Sequence, residues 1–153
     1  SSTLFISGKF MQALIQRVNH ASVTIGGNTT ASIGRGLLLL LGIEQTDDAA
    51  QAQKTLNRVL DYRVFSDPEG KMNLSLRDIA GELLVVSQFT LAADTRKGRR
   101  PSFAAAMPPA EAEQLYRYFL KLAADSDVAT NAGEFGADMQ INLCNDGPVT
   151  FLL

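Results

Sequence analysis

The feature that most constrains the fold is an uninterrupted apolar stretch at residues 37–43, LLLLLGI. A stretch with no polar face predicts a central strand that is covered by other elements on both faces. Its leucine part, residues 37–41, is the longest apolar run and falls far below the ~18 residues that a membrane span needs. We therefore expect a core built around one buried strand, and no membrane segment.

The patterns of the flanking segments predict further strands and two helices. Alternating apolar residues follow Met11, and Gly26-Gly27-Asn28 predicts a hairpin turn. One helix is expected to be capped by Asp47 or Asp48, and a second to begin at Pro108-Pro109. Further strands are predicted at residues 62–65, 72–76, 83–89, 139–143 and 149–153, about nine strands in all. The pattern predicts an α/β (α+β) domain with a mixed, barrel-like sheet and two helices.

The length predicts one domain. A chain of 153 residues fits a single domain, which we place at residues 11–153. Residues 1–10 lack the pattern of a secretory signal and are interpreted as a tag remnant or a disordered extension. The net charge of −2 provides no global basic field for nucleic acid.

The scarcity of cysteine and histidine limits the chemistry. The chain has one cysteine, Cys144, and one histidine, His20. No intrachain disulfide is possible, which fits a reducing compartment. A zinc site needs about three or four protein ligands, so we predict no protein-bound transition metal. A Ser-His-Asp triad is excluded unless His20 is its base. We interpret His20 as a surface or structural residue and Cys144 as a packed small hydrophobe.

Polar residues end one of the predicted strands. Ser87, Gln88, Phe89 and Thr90 offer hydroxyls, an amide and outward backbone N–H groups. Such donors can bind a developing oxyanion, where one donor is worth about 3 kcal/mol. Polar residues at a strand end more often only satisfy a turn, and the residues alone favour that interpretation.

A second segment, Asn145-Asp146-Gly147-Pro148-Val149-Thr150, separates the last two predicted strands. A hairpin turn is the favoured interpretation. The sharper alternative is a cis bond between Gly147 and Pro148, which proline makes accessible. That bond would direct two successive carbonyl oxygens the same way, and the rigid pair would test the shape of a ligand.

Two groups of basic residues have open interpretations. Arg17 alternates with apolar residues, so it either points inward toward backbone carbonyls or faces water on an edge strand. Four cations lie in one loop, against Asp94, and give a local charge of +3: Arg96, Lys97, Arg99 and Arg100. Contact with a phosphate backbone and a merely solvated loop are equally favoured there.

Both polar segments resemble a known family. Ser87-Gln88-Phe89-Thr90-Leu91 and the 145–150 segment are similar to the two signature motifs of the D-aminoacyl-tRNA deacylase family, of bacterial type. The resemblance extends from Met11 to the end of the sequence. Supporting stretches are Gln16-Arg17-Val18, Phe65-Ser66-Asp67, Gly70-Lys71-Met72-Asn73-Leu74 and Arg100-Pro101-Ser102-Phe103.

The resemblance implies a cytoplasmic homodimer with a D-aminoacyl-tRNA deacylase-like fold. It would hydrolyse the ester that joins a D-amino acid to the terminal adenosine of tRNA, without a cofactor. Ser87, Gln88, Phe89 and Thr90 of one subunit would form the catalytic segment. Gly147 and Pro148 of the other subunit, joined in cis, would select chirality.

The family's favoured mechanism assigns further roles. A ribose hydroxyl of the RNA assists the attacking water, and backbone amides near Phe89 and Thr90 bind the oxyanion. Ser87 and Gln88 hold the ribose and ester, and Arg17 donates to the second motif. The Gly147-Pro148 backbone would exclude an L side chain. Glycine has no side chain to exclude, so glycyl-tRNA would be cleaved. We add that Arg96, Lys97, Arg99 and Arg100 contact the tRNA acceptor stem.

Three alternatives stay open. Thr90 would act as a covalent nucleophile in the first. The chain is a non-catalytic nucleic-acid-binding module in the second. In the third it is an interaction domain, which a monomer in solution would favour.

Overall fold

One long strand organises the larger sheet. The computed structural model describes residues 10–153, and β1 (Gln12–Ile25) pairs with three other strands. Its second half pairs antiparallel with β2 (Asn28–Ile33) through the predicted glycine hairpin, which is confirmed. Its first half pairs antiparallel with β3 (Gly36–Gly42). β2 and β3 thus follow one another along the same edge of β1.

The later elements add two parallel crossovers. In chain order they are α1 (Ala49–Asp61), β4 (Phe65–Ser66), β5 (Met72–Leu74), β6 (Glu82–Ser87), a 3₁₀ helix (Phe89–Ala92), α2 (Pro109–Ala124), β7 (Ala129–Ala132) and β8 (Gln140–Leu152). β3, β6 and β7 are parallel neighbours, with α1 and α2 in the connections between them. β8 runs antiparallel along the other edge of β1, and β4 pairs with β5 in a separate small sheet.

The sheet curls until its ends approach each other. The side-chain amide of Asn131 on β7 donates to the carbonyl of Ser32 on β2 at 2.8 Å. This bond joins two strands that are not neighbours in the sheet order. The predicted mixed, barrel-like sheet with two helices is confirmed.

β3 is the buried central strand that residues 37–43 predict. Leu37, Leu39 and Leu41 pack in one cluster with Leu56 of α1 and Phe119 of α2. Leu38 points the other way, into a second cluster inside the curled sheet: Val18, Ala21, Val23, Ile33, Leu84 and Val86. Because successive side chains of a strand point to opposite faces, β3 contributes to both clusters.

The helix predictions are confirmed, and the two candidate caps have different roles. Asp48 is the N-cap of α1, where its carboxylate accepts the amide of Gln51 at 2.9 Å. Asp47 is buried instead and accepts the amides of Glu44 and Met11 at 2.7 and 2.8 Å. Burial raises the pKa of the Asp47 carboxyl, although the two amides oppose that shift.

Several strand predictions are wrong. The strand expected at residues 62–65 is only Phe65–Ser66, and the one expected to reach Phe89 ends at Ser87. The two strands expected around a hairpin are one strand, β8, because β1 pairs with both of its halves. β7 was not predicted, because its sequence, Ala-Thr-Asn-Ala, has no marked alternation of apolar and polar residues. The described residues therefore contain eight strands.

Residues 1–9 lie outside the described residues, so the interpretation of residues 1–10 as a tag remnant or extension stays a prediction. Within residues 10–153, no helix is long and apolar enough to cross a membrane.

A buried tyrosine ties α2 to the sheet beside the end of β6. The Tyr116 hydroxyl donates to the carbonyl of Gly133 at 2.8 Å and also lies 3.2 Å from the carbonyl of Val85. Burial raises the pKa of Tyr116 to about 12. The native chain therefore keeps a proton that the unfolded chain loses near pH ~10.

Tyr116→Phe should lower the free energy of unfolding by about 1–3 kcal/mol at neutral pH, because a buried carbonyl loses its donor. Since the folded pKa is raised, the stabilisation is complete below pH ~10 and is lost as the pH rises toward about 12. Denaturant unfolding of both proteins across this window measures the difference. A difference that stays constant with pH would contradict the assignment.

Candidate active site

The first motif forms a tight turn where β6 ends. We call Ser87, Gln88, Phe89 and Thr90 the 87–90 turn. The amide of Gln88 donates to the carbonyl of Leu41 at 2.8 Å, which ties the turn to β3. The side-chain amide of Gln88 donates to the Thr90 hydroxyl, and the Phe89 ring is 61% exposed. The turn therefore presents an aromatic face, a hydroxyl and an amide to solvent.

Backbone amides are also available at this turn. The first residues of a 3₁₀ helix have no intrahelical acceptor for their N–H groups. Phe89 and Thr90 are the first residues of this helix, and the first bond that follows runs from Leu91 to the carbonyl of Gln88 at 3.1 Å. Because neither amide has an acceptor within the 3₁₀ helix, both are candidate donors to a developing negative charge.

An open cleft of about 730 Å³ adjoins the 87–90 turn. Its walls are mostly apolar, and the Phe89 and Phe103 rings lie 5.2 Å apart at one side. Among the described residues that line it, Asp138 alone carries a charge. The remaining wall residues include Ile43, Met107, Phe135, Met139 and Ile141. The cleft fits a flat, largely apolar group beside the polar turn.

The basic loop (residues 96–100) closes next to this cleft. Backbone bonds of 2.7 and 2.9 Å join Asp94 and Ser102 at its base, one residue before Phe103. Arg96 forms a bidentate ion pair with Asp94, in which its Nε and Nη2 donate to the two carboxylate oxygens at 2.9 and 2.8 Å. Lys97, Arg99 and Arg100 are exposed. The three last cations are therefore better placed than Arg96 to meet an anionic ligand.

The second motif is a bulge in β8, and the hairpin interpretation is wrong. Gln16 pairs with Thr150 and Val18 with Asn145, so one residue of β1, Arg17, faces four residues of β8. We call these four residues the 146–149 bulge. Gly147 and Pro148 are exposed at its tip and are joined by a cis peptide bond.

Arg17 holds the bulge from β1. Its Nε donates to the carbonyl of Asp146 at 3.0 Å and its Nη1 to the carbonyl of Val64 at 2.7 Å. The side chain is only 12% exposed, so the water-facing interpretation is wrong. The inward interpretation, with backbone carbonyls as acceptors, is confirmed. Val149 is buried and fixes the other end of the bulge in the core.

The two motifs lie far apart within one chain. β1 and β3 separate β8 from β6 in the sheet. Three strand spacings amount to ~14 Å, too far for both motifs to contact one ester carbonyl. A site that uses both motifs needs two copies of the chain.

The lone histidine and cysteine do not join either motif. His20 lies opposite Cys144 in the β1–β8 pairing, and both are exposed. The interpretation of Cys144 as a packed hydrophobe is therefore wrong, because β8 turns this residue outward. Residues 10–153 contain no group of three or more His, Cys, Asp or Glu side chains that could hold a metal ion.

Comparison with known proteins matches the sequence to a family. The family model described as D-Tyr-tRNA(Tyr) deacylase matches residues 14–153. The chain belongs to this family. Proteins named D-aminoacyl-tRNA deacylase from Pseudoalteromonas translucida and Aeromonas hydrophila subsp. hydrophila are 59% and 60% identical to it over 143 residues, which cover 94% of this chain and 99% of theirs. The prediction of an enzyme of the hydrolase class is confirmed.

Solved structures agree on the fold. The c-Myc DNA Unwinding Element Binding Protein superposes with a TM-score of 0.87 at 42% identity, covering 93% of this chain and 97% of that one. A probable eukaryotic D-amino acid tRNA deacylase superposes with a TM-score of 0.77 at 17% identity, covering 94% of this chain and 98% of that one. The second likeness concerns the fold alone.

One residue that positions the 87–90 turn was not predicted from the sequence. A Cβ atom at Gly42 would lie 2.7 Å from the Cβ of Leu91 and 3.2 Å from the carbonyl oxygen of Gln88. The 3₁₀ helix can therefore pack on β3 only because residue 42 has no side chain. Gly42 lies within the apolar run, and no neighbouring residue indicates that it contacts Gln88 and Leu91.

Gly42→Ala should displace the 87–90 turn and lower kcat/KM for D-tyrosyl-tRNA by about a hundredfold, because catalytic groups tolerate little misplacement. Overpacking should also cost about 1–3 kcal/mol of stability. Gly34→Ala is the matched control, since its Cβ would meet only Glu82 Oε2 at an ordinary 3.6 Å. Steady-state deacylation and denaturant unfolding test both; equal kcat/KM in the two variants would contradict the packing role.

Proposed function

We propose that this protein hydrolyses the ester bond of D-aminoacyl-tRNA and releases free D-amino acid and tRNA. The observation that carries the proposal is the 87–90 turn, which opens on an aromatic cleft in a chain of the D-Tyr-tRNA(Tyr) deacylase family. The relatives that share over half of its residues are named for this activity. The protein would act in the cytoplasm, where aminoacylated tRNA is used.

The chemistry needs few side chains. An aminoacyl ester carries its own neighbouring group, the ribose 2′-hydroxyl, which can assist an attacking water. The water oxygen bonds to the ester carbon, the amides of Phe89 and Thr90 stabilise the oxyanion, and the bond to the ribose 3′-oxygen then breaks with proton transfer to that oxygen. Ser87 and Gln88 would hold the ribose and ester in place.

The cleft would receive the terminal nucleoside. The tilted Phe89–Phe103 pair offers an aromatic face, and Ile43, Met107 and Met139 extend the apolar wall. A base stacked on an aromatic side chain gains about 1–3 kcal/mol. A nucleoside held there would bring its ribose to the 87–90 turn, which borders the cleft.

Two copies of the chain would share each site. β1 and β3 lie between the two motifs, three strand spacings or ~14 Å across the sheet, so the second motif would come from another chain if both contact one substrate. The outer edge of β8 pairs with no strand within residues 10–153, and Phe151 and Leu152 near its end are 37% and 62% exposed. An unpaired edge with exposed apolar side chains favours a homodimer.

The 146–149 bulge would select chirality. Gly147 and Pro148 form an exposed backbone tip whose carbonyl oxygens would approach the α-carbon of the substrate. An L side chain would meet this backbone, whereas a D side chain would point away from it. Glycine has no side chain to exclude, so glycyl-tRNA would be cleaved as well.

The basic loop would contact the acceptor stem of the tRNA. Its base joins Phe103, which lines the cleft, so Lys97, Arg99 and Arg100 would lie near the terminal phosphates. Phosphate contacts make binding depend on salt. If a variant that lacks these three cations kept the wild-type salt dependence of KM, this assignment would be wrong.

A second candidate is a non-catalytic nucleic-acid-binding module. The observation that favours it is the 42% identity to a protein named for binding the c-Myc DNA unwinding element. Absence of D-tyrosine release from D-tyrosyl-tRNA, together with duplex binding, would support this candidate.

A covalent role for Thr90 is the other alternative. Trapping of an adduct at Thr90 would support it, and hydrolysis by Thr90→Ala would exclude it.

Substrate assistance is tested with D-tyrosyl-tRNA that ends in 2′-deoxyadenosine. Loss of the assisting hydroxyl should lower kcat by about a hundredfold or more, the usual contribution of a positioned proton-transfer group. The matched control is the same tRNA with its natural terminal adenosine. Full activity on the deoxy substrate would defeat the proposed mechanism while leaving the hydrolase assignment intact.

A further inference from the structure

We propose that Asn145 is a positioning residue that sets the preference for D over L substrates by clamping the base of the 146–149 bulge. The inference rests on the proposed function, in which the tip of this bulge selects chirality. It concerns a residue that contacts neither the ester nor the attacking water. Its effect would be transmitted through the backbone of Gly147 and Pro148.

The Asn145 side chain spans the bulge with two hydrogen bonds. Its Oδ1 accepts the backbone amide of Val149 at 2.7 Å, and its Nδ2 donates to the Thr150 hydroxyl at 2.9 Å. Asn145 pairs with Val18, and Thr150 pairs with Gln16. One planar amide therefore connects the last paired residue before the bulge to the first paired residue after it.

The clamp matters because the tip has few other restraints. The bulged residues form no ladder pairs with β1. On the entering side, Arg17 holds the carbonyl of Asp146 at 3.0 Å. On the leaving side, Asn145 holds the amide of Val149. Gly147 and Pro148 are exposed between these two points, and at each end one side chain supplies the hydrogen bond that holds the backbone.

Loss of the clamp should alter selectivity before it alters the fold. Val149 remains buried in the core, so the strand keeps its apolar anchor. The Val149 amide, without its acceptor, would let the tip move toward solvent. The Gly147-Pro148 backbone would exclude an L side chain by direct contact. A displacement of this backbone by about 1 Å should weaken that exclusion, since such a displacement can change a reaction rate by about a hundredfold.

The test compares kcat/KM for D-tyrosyl-tRNA and L-tyrosyl-tRNA in matched variants. Asn145→Ala should lower the D-to-L ratio by about tenfold or more. Asn145→Asp should restore most of the ratio, because its carboxylate can accept from both the Val149 amide and the Thr150 hydroxyl. Asn142→Ala is the control, an exposed asparagine of the same strand with no bond to the bulge, and should keep the wild-type ratio.

A wild-type ratio in folded Asn145→Ala would overturn the inference. Should that variant fail to unfold cooperatively, Asn145→Leu decides, because its side chain has a similar size but cannot accept from the Val149 amide: a lowered ratio supports the clamp and an unchanged ratio overturns it. Gly147→Ala separates this failure from that of the proposed function. Its Cβ would lie 2.7 Å from the Val149 Cγ2, at a φ of +136° that L residues rarely adopt. If Gly147→Ala lowers the ratio and Asn145→Ala does not, the clamp alone is wrong; if neither does, the bulge is not the selector.

Discussion

The separation of the two motifs by a hydrogen-bonded sheet is the constraint on which the rest of the structure depends. β6 ends in the 87–90 turn, β8 carries the 146–149 bulge, and β1 and β3 lie between them with ladders on both sides. Bringing both motifs to one ligand within a single chain would require breaking those ladders, which the buried leucines of β3 make costly. The proposed site, shared between two chains, would use both motifs without any such change.

Backbone groups dominate the chemistry available at the 87–90 turn and the 146–149 bulge. Different contacts hold the backbone in each segment. The 87–90 turn is fixed by main-chain bonds to β3 and by the close approach at Gly42. The bulge is held by hydrogen bonds from two side chains, Arg17 and Asn145, and by the buried side chain of Val149. In the proposed mechanism a chain with a single histidine and a single cysteine can serve such a site, because amide donors would bind the developing charge and carbonyl oxygens would exclude an L side chain.

Local signals predicted the parts of this fold that local interactions determine. The apolar run predicted β3, Gly26-Gly27 predicted the hairpin, and acidic and proline caps predicted both helix starts, since each depends on neighbouring residues. The bulge could not be predicted this way. Gly147 and Pro148 have turn chemistry, and only long-range pairing of β1 with both halves of β8 makes them a bulge. The cleft walls and the contact at Gly42 also come from distant segments.

The proposal of a shared site is tested most directly by mixing subunits that carry complementary defects. Gly147→Ala chains keep an intact turn and should hydrolyse L-tyrosyl-tRNA, whereas Gln88→Ala chains keep an intact bulge and should turn over little. An excess of Gln88→Ala chains, after subunit exchange, should suppress L-hydrolysis per Gly147→Ala chain and preserve D-hydrolysis, because each intact turn then faces an intact bulge. L-hydrolysis per chain that is unaffected by the formation of mixed dimers would contradict the account.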